Sequence, residues 1–316
     1  MRIFFEYFLT YWRRIPRIAL ILTAIVVTGL VAVNYTLGIE RRIQALGDWY
    51  WVFAGQVVFF GAVVATVWML QVRWGGAGID RGLLRLLLVA VLLFSAKMVH
   101  WDLSSWLPGS AGSLLNRYWV VVTQLPAKLG LFIMALWILW KAGWLVPESA
   151  DGGFRDAVGL TTKGFHAGPY LSLLLVLVPL VALASTRPDF LRVYPKVRTI
   201  DFMNGAPGPL WIWRTGYELS YGLDFLSIEL FFRGLLVIGL VRYAGEKAIL
   251  PMAAFYCTVH FGKPLGECIT SFAGGLALGV LAYRTRSVLG GLVVHLGLAW
   301  MMEGISFLSI FIHPPS

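Results

Sequence analysis

Apolar runs of about 20 residues recur along this chain, and they restrict its fold more than any other feature. Of the 316 residues, 59% are hydrophobic and only 13% are charged. A soluble domain carries roughly 25% charged residues. Apolar runs of this length match the thickness of a bilayer when they are wound as helices. The sequence therefore predicts an all-α, polytopic transmembrane helix bundle.

The hydropathy pattern predicts eight or nine spans, because the seventh run is short and contains Pro251. The candidate spans lie at about 18–38, 50–72, 82–101, 118–140, 169–186, 211–241, 248–261, 266–283 and 288–312. Aromatic and arginine residues precede the first span and suit an interfacial amphipathic helix. We expect two parts: N-terminal transmembrane helices with this interfacial N-terminus over 1–209, and a second group of helices over 210–316.

Ionisable side chains at membrane depth are concentrated in the second part. Glu229, Arg233, His260, His295 and Glu303 all fall after residue 210. Charges at that depth are costly and usually face the bundle interior, as functional groups or as paired neighbours. This asymmetry predicts that the functional site lies in the C-terminal part.

Three of these segments carry groups suited to hydrolysis. In IELFFRG, Glu229 and Arg233 lie four residues apart on one helical face, which suits an internal ion pair. His260 ends a helix before a Gly-x-Pro turn, and His295 lies in the last span. A glutamate and a histidine can activate water, and a second histidine can stabilise an oxyanion. The same groups can bind Zn²⁺, but no HExxH motif is present, so we expect no cofactor.

These segments resemble the CPBP family, which includes CAAX prenyl proteases and bacteriocin-processing or Abi-type proteins. That family has Glu-Glu-x-x-x-Arg, Phe-x-x-x-His and His-x-x-x-Asn/Asp motifs on successive core helices. The corresponding positions are Ile228–Arg233, Tyr256–His260 and His295–Ala299. The resemblance covers about 210–305 and implies a four-helix core, with catalytic roles for His260 and for the oxyanion-stabilising His295.

Two motif positions differ from the family pattern. Ile228 occupies the place of the first glutamate, and Ala299 occupies the place of the asparagine or aspartate. Isoleucine accepts no proton, and alanine donates no hydrogen bond. The water-activating carboxylate is then Glu229 itself or Glu267, with Asp224 as a further candidate. Glu229 is alternatively only the structural partner of Arg233.

Two functional hypotheses follow from the motifs. The first is an intramembrane endopeptidase that cuts a peptide bond near a membrane face, with Glu229, Glu267, His260 and His295 as catalytic candidates and Arg233 as a structural ion-pair partner. The second is a catalytically silent scaffold that binds a membrane partner in immunity, secretion or assembly. Buried charges also suit a transporter, although no inverted repeat is evident. The expected partners are membrane lipid and a peptide or membrane protein, not nucleic acid, in the bacterial inner (plasma) membrane.

Overall fold

The computed structural model describes residues 2–110 and 112–312, so the end of the predicted C-terminal part, 313–316, lies outside it. Over these two ranges the secondary structure is helical, and no strand occurs. The α-helices in chain order are α1 (Arg2–Arg14), α2 (Arg17–Leu37), α3 (Ile39–Gln44), α4 (Trp49–Trp74), α5 (Arg81–Met98), α6 (Leu114–Lys141), α7 (Phe154–Ala157), α8 (Ala167–Ala184), α9 (Pro188–Val193), α10 (Leu210–Glu229), α11 (Val241–Ala244), α12 (Ile249–Thr258), α13 (Leu265–Thr285) and α14 (Leu289–Ile312). A π-helix follows α10 over Leu230–Ile238, and 3₁₀ segments lie at Ser104–Trp106, Lys196–Gly205 and Gly245–Ala248.

The helices form two compact units that alternate along the chain. Of the described residues, the first unit contains 2–100, 134–166 and 229–291, and the second contains 101–110, 112–133, 167–228 and 292–312. The predicted division into parts at 1–209 and 210–316 stays a prediction.

Six of the described helices are long and apolar enough to span a membrane, which makes the chain a multi-pass membrane protein. They are α2, α4, α6, α8, α13 and α14.

Eight or nine spans were expected, and the difference has physical causes at three places. Helix α5 carries three basic residues in its 18 positions. Helix α10 is interrupted by acidic residues and continues as a π-helix. Helix α12 has only ten residues, which is half the length of a span.

Helix α12 lies at the centre of the first unit. All ten of its residues are buried, and it packs against α2, α4, α13 and the π-helix. Its Phe255 joins a cluster of aromatic rings with Phe60, Phe94, Phe231 and Phe232, whose centroids lie 4.7–5.7 Å apart. Offset and edge-on ring pairs of this kind stabilise a core beyond their buried area. The cluster fixes α12 and the π-helix, which carry the motif residues.

Helix α1 is the helix expected at the N-terminus. Its Phe4 and Tyr11 are buried, whereas Phe5 and Trp12 on other faces are 68% and 55% exposed. It packs against α13 within the first unit. The exposed aromatic residues suit contact with lipid, and an interfacial location stays a prediction.

Glu303 in the second unit anchors a loop to α14. Its Oε1 accepts a hydrogen bond from the Lys196 backbone N–H at 2.6 Å, and its Oε2 accepts one from the Val197 N–H at 3.1 Å. The carboxylate therefore satisfies the first donors of the 3₁₀ segment Lys196–Gly205, much as a capping residue does. Glu303, one of the ionisable residues predicted at membrane depth, therefore has a structural role.

Candidate functional site

Glu229 and Arg233 form an ion pair in the interior of the first unit. Glu229 ends α10, Arg233 lies in the π-helix, and Glu229 Oε1 is 3.1 Å from Arg233 Nη1. Both side chains are 0% exposed. Each charge reduces the free-energy cost of burying the other, and loss of either partner would leave an uncompensated buried charge.

The Glu229 carboxylate lies directly against the backbone of Gly291 in the first turn of α14. A Cβ added to Gly291 would lie 2.6 Å from Glu229 Cδ, and closer still to Oε2. Only glycine permits this approach. The first turn of a helix presents backbone N–H groups that favour nearby negative charge. The Glu229 carboxylate therefore contacts Arg233 and also approaches the α14 backbone at Gly291.

Tyr256 connects the ion pair to His260. The guanidinium carbon of Arg233 lies 4.5 Å from the centroid of the Tyr256 ring, within cation–π range. The Tyr256 ring in turn meets the His260 ring edge-on, with centroids 4.7 Å apart. Phe232 packs on Tyr256 at 5.0 Å. The first unit thus contains a continuous series of contacts, from Glu229 to Arg233, from Arg233 to Tyr256 and from Tyr256 to His260.

His260 lies in the turn after α12, and its protonation pattern follows from one contact. Its Nδ1 is 2.9 Å from the backbone oxygen of Tyr256. A carbonyl oxygen only accepts, so Nδ1 carries the hydrogen and donates it. In the neutral ring the lone pair then belongs to Nε2. This is the tautomer in which Nε2 can act as a proton acceptor.

Side chains from α2 hold this turn. Asn34 Nδ2 donates to the Phe261 carbonyl at 3.1 Å, Asn34 Oδ1 accepts from the Glu40 N–H at 2.9 Å, and Tyr35 donates to the Lys263 carbonyl at 2.5 Å. These contacts join residues more than 220 positions apart, except for the local one to Glu40. The position of His260 therefore depends on the first span.

Replacing Asn34 with alanine should lower the free energy of unfolding by about 2 kcal/mol, because a buried carbonyl and an N–H lose their partner. The measurement is detergent-based equilibrium unfolding. Thr36→Ala is the matched control, because the hydrogen bonds of the Thr36 hydroxyl within the described residues go to carbonyls of its own helix. Equal effects of the two variants would contradict the role assigned to Asn34.

Two carboxylates lie near the turn that carries His260. Glu267, in the first turn of α13, pairs with Lys263 at 3.5 Å, and their side chains are 21% and 27% exposed. The Glu40 carboxylate lies beside Gly262, with its Cδ 3.7 Å from the position of an added Cβ. Burial raises the pKa of Glu40, and Arg41 partly opposes this rise. No sequence motif includes Glu40, so its position beside this turn could not be predicted.

His295 belongs to the second unit, where it is 8% exposed in α14. Its ring faces that of Phe225 in α10, with centroids 6.0 Å apart. Ala299, one turn further along α14, is buried. Asp224 accepts a hydrogen bond from the Ser227 hydroxyl through both its backbone oxygen and Oδ1. Ile228 is half-buried, so an apolar side chain occupies the first-glutamate position.

No metal centre is formed by the part of the chain that the structure describes. Within 2–110 and 112–312, no three His, Cys, Asp or Glu side chains converge as metal ligands would. Cys257 and Cys268 are free, buried and part of an apolar cluster with Val27, Val31 and Val67. The two thiols are packing residues.

The span-length helices and the buried ion pair beside a histidine turn define a polytopic membrane protein with a charged helical core. Residues 221–301 match the family model described as type II CAAX prenyl endopeptidase Rce1-like, within the CPBP family. This segment, about a quarter of the chain, is therefore Rce1-like, and the resemblance seen in the motifs is confirmed. It contains Glu229, Arg233, His260, Glu267 and His295. No curated protein and no solved structure matches the chain significantly.

Proposed function

We propose that the chain is an intramembrane endopeptidase of the CPBP type, with His260 as the group that accepts a proton from water. The observation that carries the proposal is the Nδ1 contact of His260 with the Tyr256 carbonyl, which assigns the lone pair to Nε2. The Rce1-like match supports it, because that family is one of proteases.

The proposed reaction is hydrolysis of a peptide bond. Nε2 of His260 takes a proton from water, the water oxygen bonds to the carbonyl carbon, and the carbonyl oxygen receives the electron pair. When this intermediate collapses, the carbonyl forms again and the C–N bond breaks. The proton on His260 passes to the departing amine, so the products are a carboxylic acid and an amine; the acid then ionises by losing its proton to solvent.

In this proposal Glu229 and Arg233 are positioning residues. The Glu229 carboxylate is 0% exposed and lies between Arg233 and Gly291, so it acts on His260 through Arg233 and Tyr256. Glu267 is the more exposed candidate for holding the water, since 21% of its side chain is accessible. The oxyanion role of His295 rests on the family resemblance alone.

The substrate class and location are part of the same proposal. We infer a peptide bond in a membrane-associated protein, cut near the membrane face. The bacterial inner (plasma) membrane is proposed on the family resemblance. Separating inner-membrane from outer-membrane fractions of a bacterial host that carries its native gene tests the location.

Replacing His260 with alanine should reduce cleavage by about 100-fold or more, the usual contribution of a general base. The measurement compares new protein N-termini in membranes that contain the wild type, His260→Ala or no protein. His166→Ala is the matched control, because His166 is exposed and lies in a loop before α8. New N-termini that persist unchanged in the His260→Ala membranes would refute the proposed role.

A silent scaffold is the second candidate function, and specific observations favour it. Ile228 replaces the first glutamate, and Glu229 is fully enclosed in its ion pair. A scaffold should co-purify with a membrane protein and should generate no new N-termini in either variant. Cleavage that depends on His260 but not on His166 would exclude it.

A further inference from the structure

A cavity of about 1050 Å³ lies in the first unit, away from the site described above. None of Glu229, Arg233, Tyr256 or His260 lines it. The charged residues along its wall are predominantly basic: Lys163, Arg242, Arg284 and Arg286, with Glu148 and Asp156 as the acidic ones. The lining therefore carries a positive excess.

Two of the basic residues are partly neutralised. Arg286 donates to Glu148 through Nε at 2.6 Å and Nη2 at 3.2 Å, and this hydrogen bond lowers the pKa of Glu148. Lys163 lies 3.9 Å from Asp156, but its side chain is 83% exposed, so the pair is weak. The acidic wall residues thus offset Arg286 more strongly than Lys163.

The other two arginines have hydrogen-bonding capacity that the described residues do not use. Arg284 is 3.5 Å from Glu246, yet its Nε and Nη2 are buried and donate no hydrogen bond to any described residue. Arg242 is exposed and forms no ion pair within 2–110 or 112–312. Buried donors without a protein acceptor are usually satisfied by ordered water or by a bound ligand, so Arg284 has donors that a ligand in the cavity can use.

The cavity lies at the end of two spanning helices. Thr285, the last residue of α13, and Arg286, three residues before α14, both line it. Tyr7 from α1 and the apolar Ile238 and Val241 complete part of the wall. The ends of spanning helices reach the headgroup layer of a bilayer, where phosphate groups are concentrated. Guanidinium groups bind phosphate through paired N–H donors.

We propose that this cavity binds a phosphate-bearing anion, with the headgroup of an anionic phospholipid as the source that the membrane position favours. Free phosphate is the other source of the same chemistry. Arg242 and Arg284 donate to the phosphate oxygens. The site is independent of the peptidase reaction, so either proposal can fail alone.

The test compares thermal unfolding of the protein in three samples. They are nanodiscs of phosphatidylcholine alone, nanodiscs that also contain phosphatidylglycerol, and nanodiscs of phosphatidylcholine alone with inorganic phosphate added. A ligand that binds only the folded state raises Tm, here by roughly 4 °C when the site is saturated. Arg242→Gln should lose more than half of that increment. Arg155→Gln is the matched control, because Arg155 is exposed in neighbouring α7 and does not line the cavity.

Each outcome is decisive. Stabilisation by phosphatidylglycerol alone, dependent on Arg242 but not Arg155, supports the lipid headgroup. Stabilisation by inorganic phosphate with the same dependence supports a free phosphate anion. Equal losses in the two variants would show a general charge effect and overturn the site, as would the absence of any Tm difference. Because Arg242 is exposed, gel filtration should show its variant folded like the wild type.

Discussion

Replacing Arg233 with methionine should destabilise the protein by about 3–5 kcal/mol. The substitution removes a guanidinium that is 0% exposed and leaves the Glu229 carboxylate buried without its ion-pair partner at 3.1 Å. The loss also removes the cation–π contact with Tyr256. The free energy of unfolding in mixed micelles is the quantity to measure, in wild type and variant under the same conditions.

The double variant Glu229→Met/Arg233→Met tests whether the loss of stability in Arg233→Met comes from leaving a buried charge unpaired. Two apolar side chains leave no buried charge, so the double variant should lose less stability than Arg233→Met alone. Lys263→Gln is the control, since it breaks another i,i+4 pair whose side chains are 27% and 21% exposed. That pair should contribute only about 0–1 kcal/mol. A double variant less stable than Arg233→Met would contradict this account of the pair.

Gly291→Ala should lower the free energy of unfolding by about 3 kcal/mol, at the upper end of the effect of overpacking. The new methyl carbon would lie 2.6 Å from Glu229 Cδ, so the carboxylate has to leave its present position beside Arg233. A displaced carboxylate weakens the ion pair as well as the packing. Thermal unfolding in detergent measures the change.

Gly304→Ala, in the same helix, is the control for Gly291→Ala. Among the described residues, no atom beyond the helix's own backbone lies within 4 Å of a Cβ added there. Alanine is a better helix former than glycine, so this variant should be neutral or more stable by about 0.5–1 kcal/mol. Adding Glu229→Asp to Gly291→Ala should restore part of the stability, because the shorter side chain withdraws from the methyl group. If Gly291→Ala and Gly304→Ala behave alike, the close approach of Glu229 to α14 is not as described.

The spanning helices could be predicted because the mean hydropathy of about 20 consecutive residues identifies a span, and no tertiary contact has to be known. The exceptions are α5, α10 and α12. Neighbouring helices bury α12 on every side, so its apolar residues reflect contact with protein rather than with lipid. A hydropathy profile shows that a segment is apolar, but it does not show whether the segment packs against protein or against lipid.

Only those contacts of the site that join residues close together in the sequence could be predicted. Glu229 and Arg233 are four residues apart, so helical geometry alone places them together. Gly291 and Glu40 approach the site from distant segments, and their roles depend on packing that no spacing encodes. Tyr256 was visible as the aromatic position of a motif. Its contact with both Arg233 and His260 required the structure.

The nine-residue π-helix after Glu229 affects how this motif should be aligned with other sequences. A π-helix turns less per residue than an α-helix, since its hydrogen bonds join residues i and i+5. The direction in which Glu229 points, relative to the chain beyond Ile238, therefore depends on the winding as well as on the number of residues between them. A homologue that winds this stretch as an α-helix would present the aligned residue on a different face. Equivalent carboxylates in such homologues should be sought one position to either side of the aligned column.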